Sequence, residues 1–422
     1  MDPFSNTGEL KDDLYESAEK SNSNSILPKS KTTIILIIVI ILVLTISVLV
    51  LMFFFLFNGD SNSKSENETK KEDSNEKKTD PHEDDESTPF ENIIISRDIN
   101  CIYSINEINS QIPILNNEFQ NINNAINDIY INDTKIQFTR YYKFPEKGNY
   151  KIKYILNAEA NIDNIFKNID NIISINISIS SNLTSTISSM KSAFEGCSNL
   201  KEVKINDKNI HTERVKDMSK LFKGCKSLTS LDISSLDTSN VNDMSYMFHD
   251  CQSLKNLNLE HFNTKNVKDM SYMFSNLVNL LSLSISSFDT RQVNNMEYMF
   301  YNDELIEDID VKNFKTENVE TMRGMFENCY NVRQIDTTGF NTNKVTNFDY
   351  TFKNCNSIVE LSLTTFKTEN CHSFVEMFSG CKGMIVIIEE EISDNLIDTI
   401  LNSEVNIRYV TPDLEDLYNN AN

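Results

Sequence analysis

The sequence predicts an α/β solenoid, a fold in which similar coils stack along one axis. Three observations predict it: a phenylalanine that returns at a fixed interval, a pair of apolar residues that alternate as in a strand, and a second aromatic position after each pair. A fixed period of about 20–50 residues is typical of repeat architectures. In such folds each unit buries its apolar face only against its neighbours.

The phenylalanine interval is 26 residues over the later units and 28 residues over the first ones. About nine coils are therefore expected. The phenylalanines are Phe166, Phe194, Phe222, Phe248, Phe274, Phe300, Phe326, Phe352 and Phe378.

Each unit predicts one short helix and one strand. In the unit that begins near Met244, apolar residues recur every three or four positions, as on one face of a helix, and Asp243 is placed to cap it. Leu257 and Leu259 then alternate as a strand requires, and Phe262 fills the return to the next coil. Stacked units give a leucine-rich-repeat-like solenoid with a parallel β-sheet and one short helix per coil.

The unit "MSYMFHDCQSLKNLNLEHFNTKNV" resembles the 26-residue repeat of BspA-like leucine-rich-repeat surface proteins. The resemblance extends from about Ile162 to Glu389, more than half of the chain. It implies a surface-exposed protein with a role in adhesion or in binding a host or matrix. It supplies no catalytic residues, so a non-enzymatic protein is expected.

An apolar stretch from Ile34 to Phe57 contains 24 residues without a charge, enough for a helix to span a bilayer. Lys29 and Lys31 precede it directly, so the positive-inside rule places the N-terminus in the cytoplasm. The sequence therefore predicts a single-pass type II membrane protein that contacts the lipid bilayer through Ile34–Phe57. Its repeats are then extracellular or lumenal.

Composition divides the chain into six predicted segments. The segment before the repeats includes Lys135 to Leu156, which reads as a β-hairpin around Pro145 and Gly148. The segments are a disordered cytoplasmic tail (1–31), a transmembrane signal-anchor (32–57), a disordered charged linker (58–89), a small β-containing module (90–160), the solenoid (161–389), and a C-terminal cap and tail (390–422).

The charge balance excludes some classes of partner. With 62 acidic and 39 basic side chains, the formal net charge of −23 opposes phosphate backbones, so nucleic acid is not expected as a partner. The five histidines fall in different repeat slots or in the linker, and no Gly-rich phosphate loop is present. The sequence thus predicts neither a cofactor nor a catalytic or metal site.

Six cysteines share one repeat slot, in which Leu277 and Asp303 stand in the two intervening units. Because the slot also accepts aliphatic residues, a packing role is expected. Disulfides between adjacent coils are the alternative, since strands about 4.8 Å apart lie within bridging distance and an ectodomain is oxidising. The six are Cys197, Cys225, Cys251, Cys329, Cys355 and Cys381.

The outward positions of the predicted strands form the candidate binding surface, because solenoids commonly bind partners on such an extended face. The predicted partner is an extracellular protein or glycan, in adhesion or recognition. The alternative is a structural spacer or a self-associating component of a surface coat. The candidate residues are Asp232, Asn258, Ser284, Asp308, Asp310, Asp336, Glu360 and Ser362.

Four of these candidates are carboxylates that are expected to approach one another on adjacent coils. Mutual repulsion would raise a pKa or recruit a counter-ion such as Ca²⁺. Lys312 provides a nearby positive charge, and the sequence contains no dedicated calcium loop. A plain acidic patch is therefore preferred. The four are Asp308, Asp310, Asp336 and Glu360.

Overall fold

A computed structural model describes residues 97–120, 122–179, 185–389 and 392–410. The predicted tail, membrane anchor and charged linker lie outside these ranges. The elements are β1 Arg97–Ile105, β2 Ile112–Pro113, α1 Ile122–Ala125, β3 Ile126–Ile131, β4 Thr134–Ile136, β5 Tyr141–Tyr142, β6 Gly148–Leu156, β7 Glu159–Asn161, β8 Ile172–Ile179, β9 Ser185–Ser189, β10 Glu202–Lys204, β11 Ile210–His211, β12 Ser230–Asp232, β13 Asn256–Asn258, β14 Ser282–Ser284, β15 Glu360–Ser362, β16 Ile385–Ile388, α2 Asp394–Leu401 and β17 Asn406–Tyr409.

The segment before the repeats contributes antiparallel strands in the order β1-β6-β3-β4, and β8 of the first coil adds to this sheet beside β1. The predicted hairpin between Lys135 and Leu156 is wrong, because β6 lies between β1 and β3 and does not pair with β4. The tight hairpin instead joins β3 to β4. Its turn residues Asn132 and Asp133 both have positive φ angles, of 45° and 63°, as the hairpin turns that match strand twist require.

This antiparallel sheet continues into the solenoid. Strand β1 pairs antiparallel with β8, β8 pairs parallel with β10, and β10 pairs parallel with β12. Asn116 closes the first coil, since its main-chain N–H donates to the carbonyl of Ile165 at 3.0 Å and its Nδ2 donates to the carbonyl of Lys167 at 2.6 Å. The open carbonyl groups of the first coil are thereby satisfied.

The predicted phenylalanine core is confirmed. All nine phenylalanines are fully buried, and neighbouring rings stack with centroids 5.5 to 6.2 Å apart. The position equivalent to Phe262, which fills the return to the next coil, is also buried in six units. These return residues are Leu236, Phe262, Phe288, Phe314, Phe340 and Phe366.

The predicted helix in each coil is wrong, because these residues form turns. The amide of Phe248 donates to the carbonyl of Met273 on the next coil at 3.0 Å, whereas the following amide, of His249, donates three residues back to Tyr246 at 3.2 Å. This alternation recurs along the array. An α-helix needs each amide to bond four residues back. Amides that bond between coils cannot do so, and the turn replaces the helix.

The parallel pairing is less continuous at the strands than predicted. Among the described strands, β13 and β14 pair only with each other, and β15 pairs with β16, which pairs with β17. The unbroken ladder of parallel bridges lies at the turn entrance, in the slot of Asp243. That ladder runs through Asp217, Asp243, Asp269, Asn295, Thr321, Asn347 and Ser373.

Buried threonines add a second link between coils. The hydroxyl of Thr264 donates to the carbonyl of Asp289 at 3.0 Å and accepts the amide of the same residue at 2.8 Å. Both hydrogen-bonding functions of a buried hydroxyl are therefore satisfied by the next coil. The same reciprocal pair is made by Thr212, Thr238, Thr290, Thr316 and Thr342.

All eight described cysteines are free and buried. The thiol of Cys251 donates to the carbonyl of Phe222 on the preceding coil at 3.1 Å, and the other five cysteines of the slot make the corresponding contact. The structure therefore shows the packing role of these cysteines, and it shows no cross-coil disulfides among them.

Asp303 stands in the cysteine slot and is fully buried. Its Oδ1 accepts the amide of Leu277 at 2.9 Å, whereas its Oδ2 has no hydrogen-bond partner among the described residues. Burial raises the pKa of this carboxyl well above its ordinary value. The coil that carries Asp303 is therefore a weak point of the core.

The C-terminal end of the described chain consists of β16, α2 and β17. Ser393 precedes α2, and the helix packs Leu396 and Ile400 into the core. Among the described ranges, no helix is long and apolar enough to cross a membrane. The predicted span Ile34–Phe57 lies outside these ranges.

The substitution Phe274→Ala tests the core. Removing this buried ring should lower the free energy of unfolding by about 3–5 kcal/mol, because the cavity it leaves is lined by two rigid neighbouring coils. Urea unfolding of the full-length protein, followed by circular dichroism, measures the change. Phe138→Ala is the matched control, since that ring is 46% exposed. Equal losses in the two variants would contradict the assignment of Phe274 to the core.

The substitution Asp303→Cys restores the slot. At neutral pH it should raise the free energy of unfolding by about 1–3 kcal/mol, because an unsatisfied buried carboxyl is replaced by a thiol. The pKa of Asp303 is higher in the folded than in the unfolded state, so the native protein loses stability as pH rises above about 4. The gain should therefore shrink between pH 7 and pH 4. A gain that does not change with pH would show that ionisation of Asp303 is not its cause.

Candidate binding surface

The eight predicted binding residues lie on the outer side of the coils, where they are exposed or half-buried. Asp232, Asn258 and Ser284 end the strands β12, β13 and β14. Glu360 and Ser362 begin and end β15. Asp308, Asp310 and Asp336 lie outside the strands. Their role in binding a partner remains a prediction.

Half of these residues have a local structural role. In each of them a side-chain oxygen accepts a hydrogen bond of 3.0 to 3.4 Å from the main-chain N–H two residues further on. The four residues are Asp232, Asn258, Asp310 and Asp336. A short polar side chain that bonds its own backbone in this way competes with strand pairing. At Asp232 and Asn258 the contact coincides with the last residue of β12 and of β13.

The expected repulsion among the carboxylates is wrong for Asp336, whose pKa lies below its ordinary value because Thr338 donates to the carboxylate and Lys312 adds a positive charge. Lys312 also contacts Asp310, at 3.5 Å. Glu360 pairs with Arg408 at 2.9 Å. Within the described residues, no three His, Cys, Asp or Glu side chains are grouped so as to hold a metal ion.

A row of tyrosines on the turn side was missed by the sequence analysis. Tyr246, Tyr272, Tyr298 and Tyr350 share one slot in the repeated turn and are half-buried. All four have positive φ angles, between 52° and 59°, which is uncommon for a bulky residue. The bonds between coils hold the backbone in this conformation, and the rings therefore project at equivalent positions.

The first three tyrosines form a stack. The rings of Tyr246 and Tyr272 are nearly parallel with centroids 4.5 Å apart, and Tyr298 follows 5.0 Å further on at 31°. Lys223 places its Nζ 4.8 Å from the centroid of Tyr246, so a cation covers the first ring of the stack. Burial, and then the charge of Glu297, raise the pKa of Tyr272 well above its ordinary value.

The stack is interrupted at Gly324, which occupies the tyrosine slot. A Cβ atom there would lie 2.1 Å from Cε1 of Tyr298, because the ring of Tyr298 leans over the glycine. The guanidinium of Arg323 lies between the flanking tyrosines, with its Cζ 5.9 Å from the centroid of Tyr298 and 5.3 Å from that of Tyr350. Its Nε also donates to the Tyr298 hydroxyl at 3.1 Å.

A cavity of about 500 Å³ opens beside this interruption. Tyr298 and Tyr301 form one side of it, with ring planes at 86° and centroids 5.3 Å apart. This volume is in the usual range for small-ligand sites. The residues that line the cavity are Tyr272, Tyr298, Tyr301, Arg323, Glu327, Tyr350, Lys353 and Glu376.

Charged groups line the cavity and are paired within it. Lys353 contacts Glu376 at 2.7 Å and Glu327 at 3.9 Å, and it lies 5.0 Å from the centroid of Tyr350. Burial raises the pKa of Glu327, although the charge of Lys353 opposes the shift. The contact with Glu376 holds the pKa of Lys353 above its ordinary value. The cavity therefore combines aromatic rings with donors and acceptors in fixed positions.

The substitution Arg323→Met tests the aromatic row. It should lower the free energy of unfolding by about 1 kcal/mol, because a cation between two rings and a hydrogen bond to Tyr298 are lost. Arg291→Met is the control, since that side chain is 66% exposed and pairs only with Asp289 among the described residues. Urea unfolding compares the two variants. An Arg323 variant that unfolds as the Arg291 variant does would contradict a stabilising role.

A family model described as "Mycoplasma protein of unknown function, DUF285" matches residues 160–280 and 278–390. A crystal structure of a leucine rich cell surface protein from Faecalibacterium prausnitzii is similar at 14% identity and a TM-score of 0.26, over 63% of this chain and 86% of that chain. A leucine-rich repeat protein from Bacteroides ovatus is similar at 14% identity and a TM-score of 0.20, over 68% of this chain and 99% of that chain. No curated protein matches the chain.

The two family matches together cover more than half of the chain and coincide with the 26-residue repeats. The chain therefore belongs to the DUF285 family, and its resemblance to BspA-like leucine-rich-repeat proteins is confirmed.

Proposed function

We propose that the chain is a membrane-anchored, non-enzymatic cell-surface protein whose solenoid binds an extracellular protein or glycan. The uncharged stretch Ile34–Phe57 supports the anchor, and Lys29 and Lys31 support a cytoplasmic N-terminus. The polar segment 58–89 contains no large apolar residue and would act as a tether between membrane and repeats.

The observation that carries the binding role is the cavity beside Gly324. A spacer needs only a soluble outer surface, whereas this site places tyrosine rings, an arginine, a lysine and two carboxylates around one opening. Pockets of this kind, with a few fixed polar groups, are the usual form of ligand sites. The repeats hold these groups on adjacent coils of a packed core, so the site is preorganised.

A non-enzymatic role is supported by the residues that line the cavity. They include no serine, cysteine or histidine, and the two carboxylates, Glu327 and Glu376, are both in contact with Lys353. The buried thiols of the cysteine slot have pKa values raised by burial, which makes them poor nucleophiles.

Protease treatment of intact cells tests the topology. If the proposal is right, a protease added outside should remove the repeats and leave a fragment with the N-terminus protected, because the linker 58–89 is expected on the outer side. Antibodies to an N-terminal and a C-terminal tag report the two ends. Full protection of the C-terminal tag in a protein that fractionates with the cell membrane would overturn the proposed orientation.

Adhesion of cells that produce the protein tests the binding role. Surfaces coated with extracellular matrix proteins or with mucin should retain these cells, and Tyr301→Ala/Glu327→Gln should reduce retention by at least fivefold. The double variant Asp308→Asn/Glu360→Gln is the comparison, because both residues lie on the outer side of the coils among the eight predicted binding residues, here called the strand face. Loss in the strand-face variant alone would move the site to that face. Unchanged retention in both variants would overturn both sites, and retention no higher than that of cells without the protein would favour the spacer or coat role.

A further inference from the structure

We propose that the cavity beside Gly324 binds an uncharged pyranose unit of a glycan. This inference rests on the proposed binding function and specifies its ligand. It follows from the aromatic walls of the cavity, from the polar groups that line it, and from the main-chain amides around it, which are already hydrogen-bonded to the next coil.

The aromatic walls suit a sugar ring. One face of a pyranose is formed by C–H groups, which pack against the negative face of an aromatic ring. Tyr298 and Tyr301 meet at 86°, so they offer a sugar two aromatic walls at nearly a right angle. The cavity volume of about 500 Å³ allows one or two sugar units.

The polar groups suit hydroxyl groups. Glu327 and Glu376 accept hydrogen bonds, and Arg323 and Lys353 donate them. A carboxylate or a guanidinium has two parallel sites and can bond two adjacent hydroxyls at once. The cavity has two cations and two carboxylates in its lining, so it carries no net charge that would select an ionic ligand.

A peptide fits this site less well than a sugar. Peptides are commonly held through a free strand edge or through pockets for apolar side chains. Here the amides of Tyr298, Gly324 and Tyr350 each donate to a carbonyl of the next coil at 2.8 Å. The lining also contains no aliphatic side chain. The site therefore offers neither of these two modes of peptide binding.

The absence of a side chain at Gly324 leaves the space into which the ring of Tyr298 leans. The φ of 57° at Gly324 falls within the range of the four tyrosines in the same slot, so the backbone there is already suited to tyrosine. A tyrosine at this position would occupy the place that Tyr298 now leans into. The ring of Tyr298 would then have to return towards the parallel arrangement that Tyr246 and Tyr272 show.

The variant Gly324→Tyr tests the proposal with the full-length protein in detergent micelles. The probes are neutral oligosaccharides of glucose, galactose, mannose and N-acetylglucosamine, with heparin as a charged comparison. The chain has 15 tyrosines and no tryptophan, so tyrosine emission reports binding directly. At least one neutral oligosaccharide should bind the wild-type protein, and Gly324→Tyr should weaken binding by at least tenfold without lowering the unfolding midpoint.

A second variant covers the case in which Gly324→Tyr does not fold. Glu327→Gln keeps the shape of the side chain and removes a charged acceptor, so it should weaken binding of the same oligosaccharide by about tenfold. Asp133→Asn is its matched control, because it removes one carboxylate from the exposed turn between β3 and β4. This control should bind as the wild-type protein does.

The outcomes separate the ligand from the function. Equal binding by wild type, Gly324→Tyr and Glu327→Gln would overturn the site. Failure of every neutral oligosaccharide to bind, while adhesion to protein-coated surfaces persists, would overturn the saccharide proposal and leave the binding function in place. Preference for heparin over all neutral probes would overturn the claim that the ligand is uncharged. Absence of both adhesion and saccharide binding in the wild-type protein would overturn both proposals.

Discussion

The structure depends on one interaction, the hydrogen bond from every second amide of a turn to a carbonyl of the next coil. The bond from Phe248 to Met273 is an example, and its equivalents recur along the array. Because these bonds keep equivalent residues in register, each slot becomes a row of identical environments. The phenylalanine stack, the threonine links and the cysteine row all follow from this register.

The same register explains why side chains on the turn face are held so firmly. A tyrosine at a positive φ is unfavourable by itself. Here the backbone is held by bonds on both sides, from the preceding coil and to the following one. The strain is spread over the array, and the side chains gain fixed positions for stacking. A shallow site on such a surface needs little further ordering when a ligand binds.

The sequence predicted the core better than the surface. Burial at Phe274 or Phe262 follows from apolar periodicity, which is independent of the exact backbone. The helix was mispredicted because spacings of three and four residues suit both an α-helix and a turn with bonds three residues back, such as that from Met247 to Met244. The tyrosine row carried a signal in its 26-residue spacing. Its value became apparent only once the turn face was known to present those rings together.

Departures from the repeat are the most informative positions in this chain. Most repeat positions carry the same type of residue in every coil, because their surroundings are equivalent. A different residue at such a position therefore calls for a local explanation. Asp303 weakens the core, and no described contact compensates its free Oδ2. Gly324 stands where other coils have a tyrosine, so the stack of rings is interrupted there. Around it lie an arginine between two tyrosines and an open cavity lined by paired charges. A local rule is broken in both places, but only at Gly324 do the surrounding groups form a site.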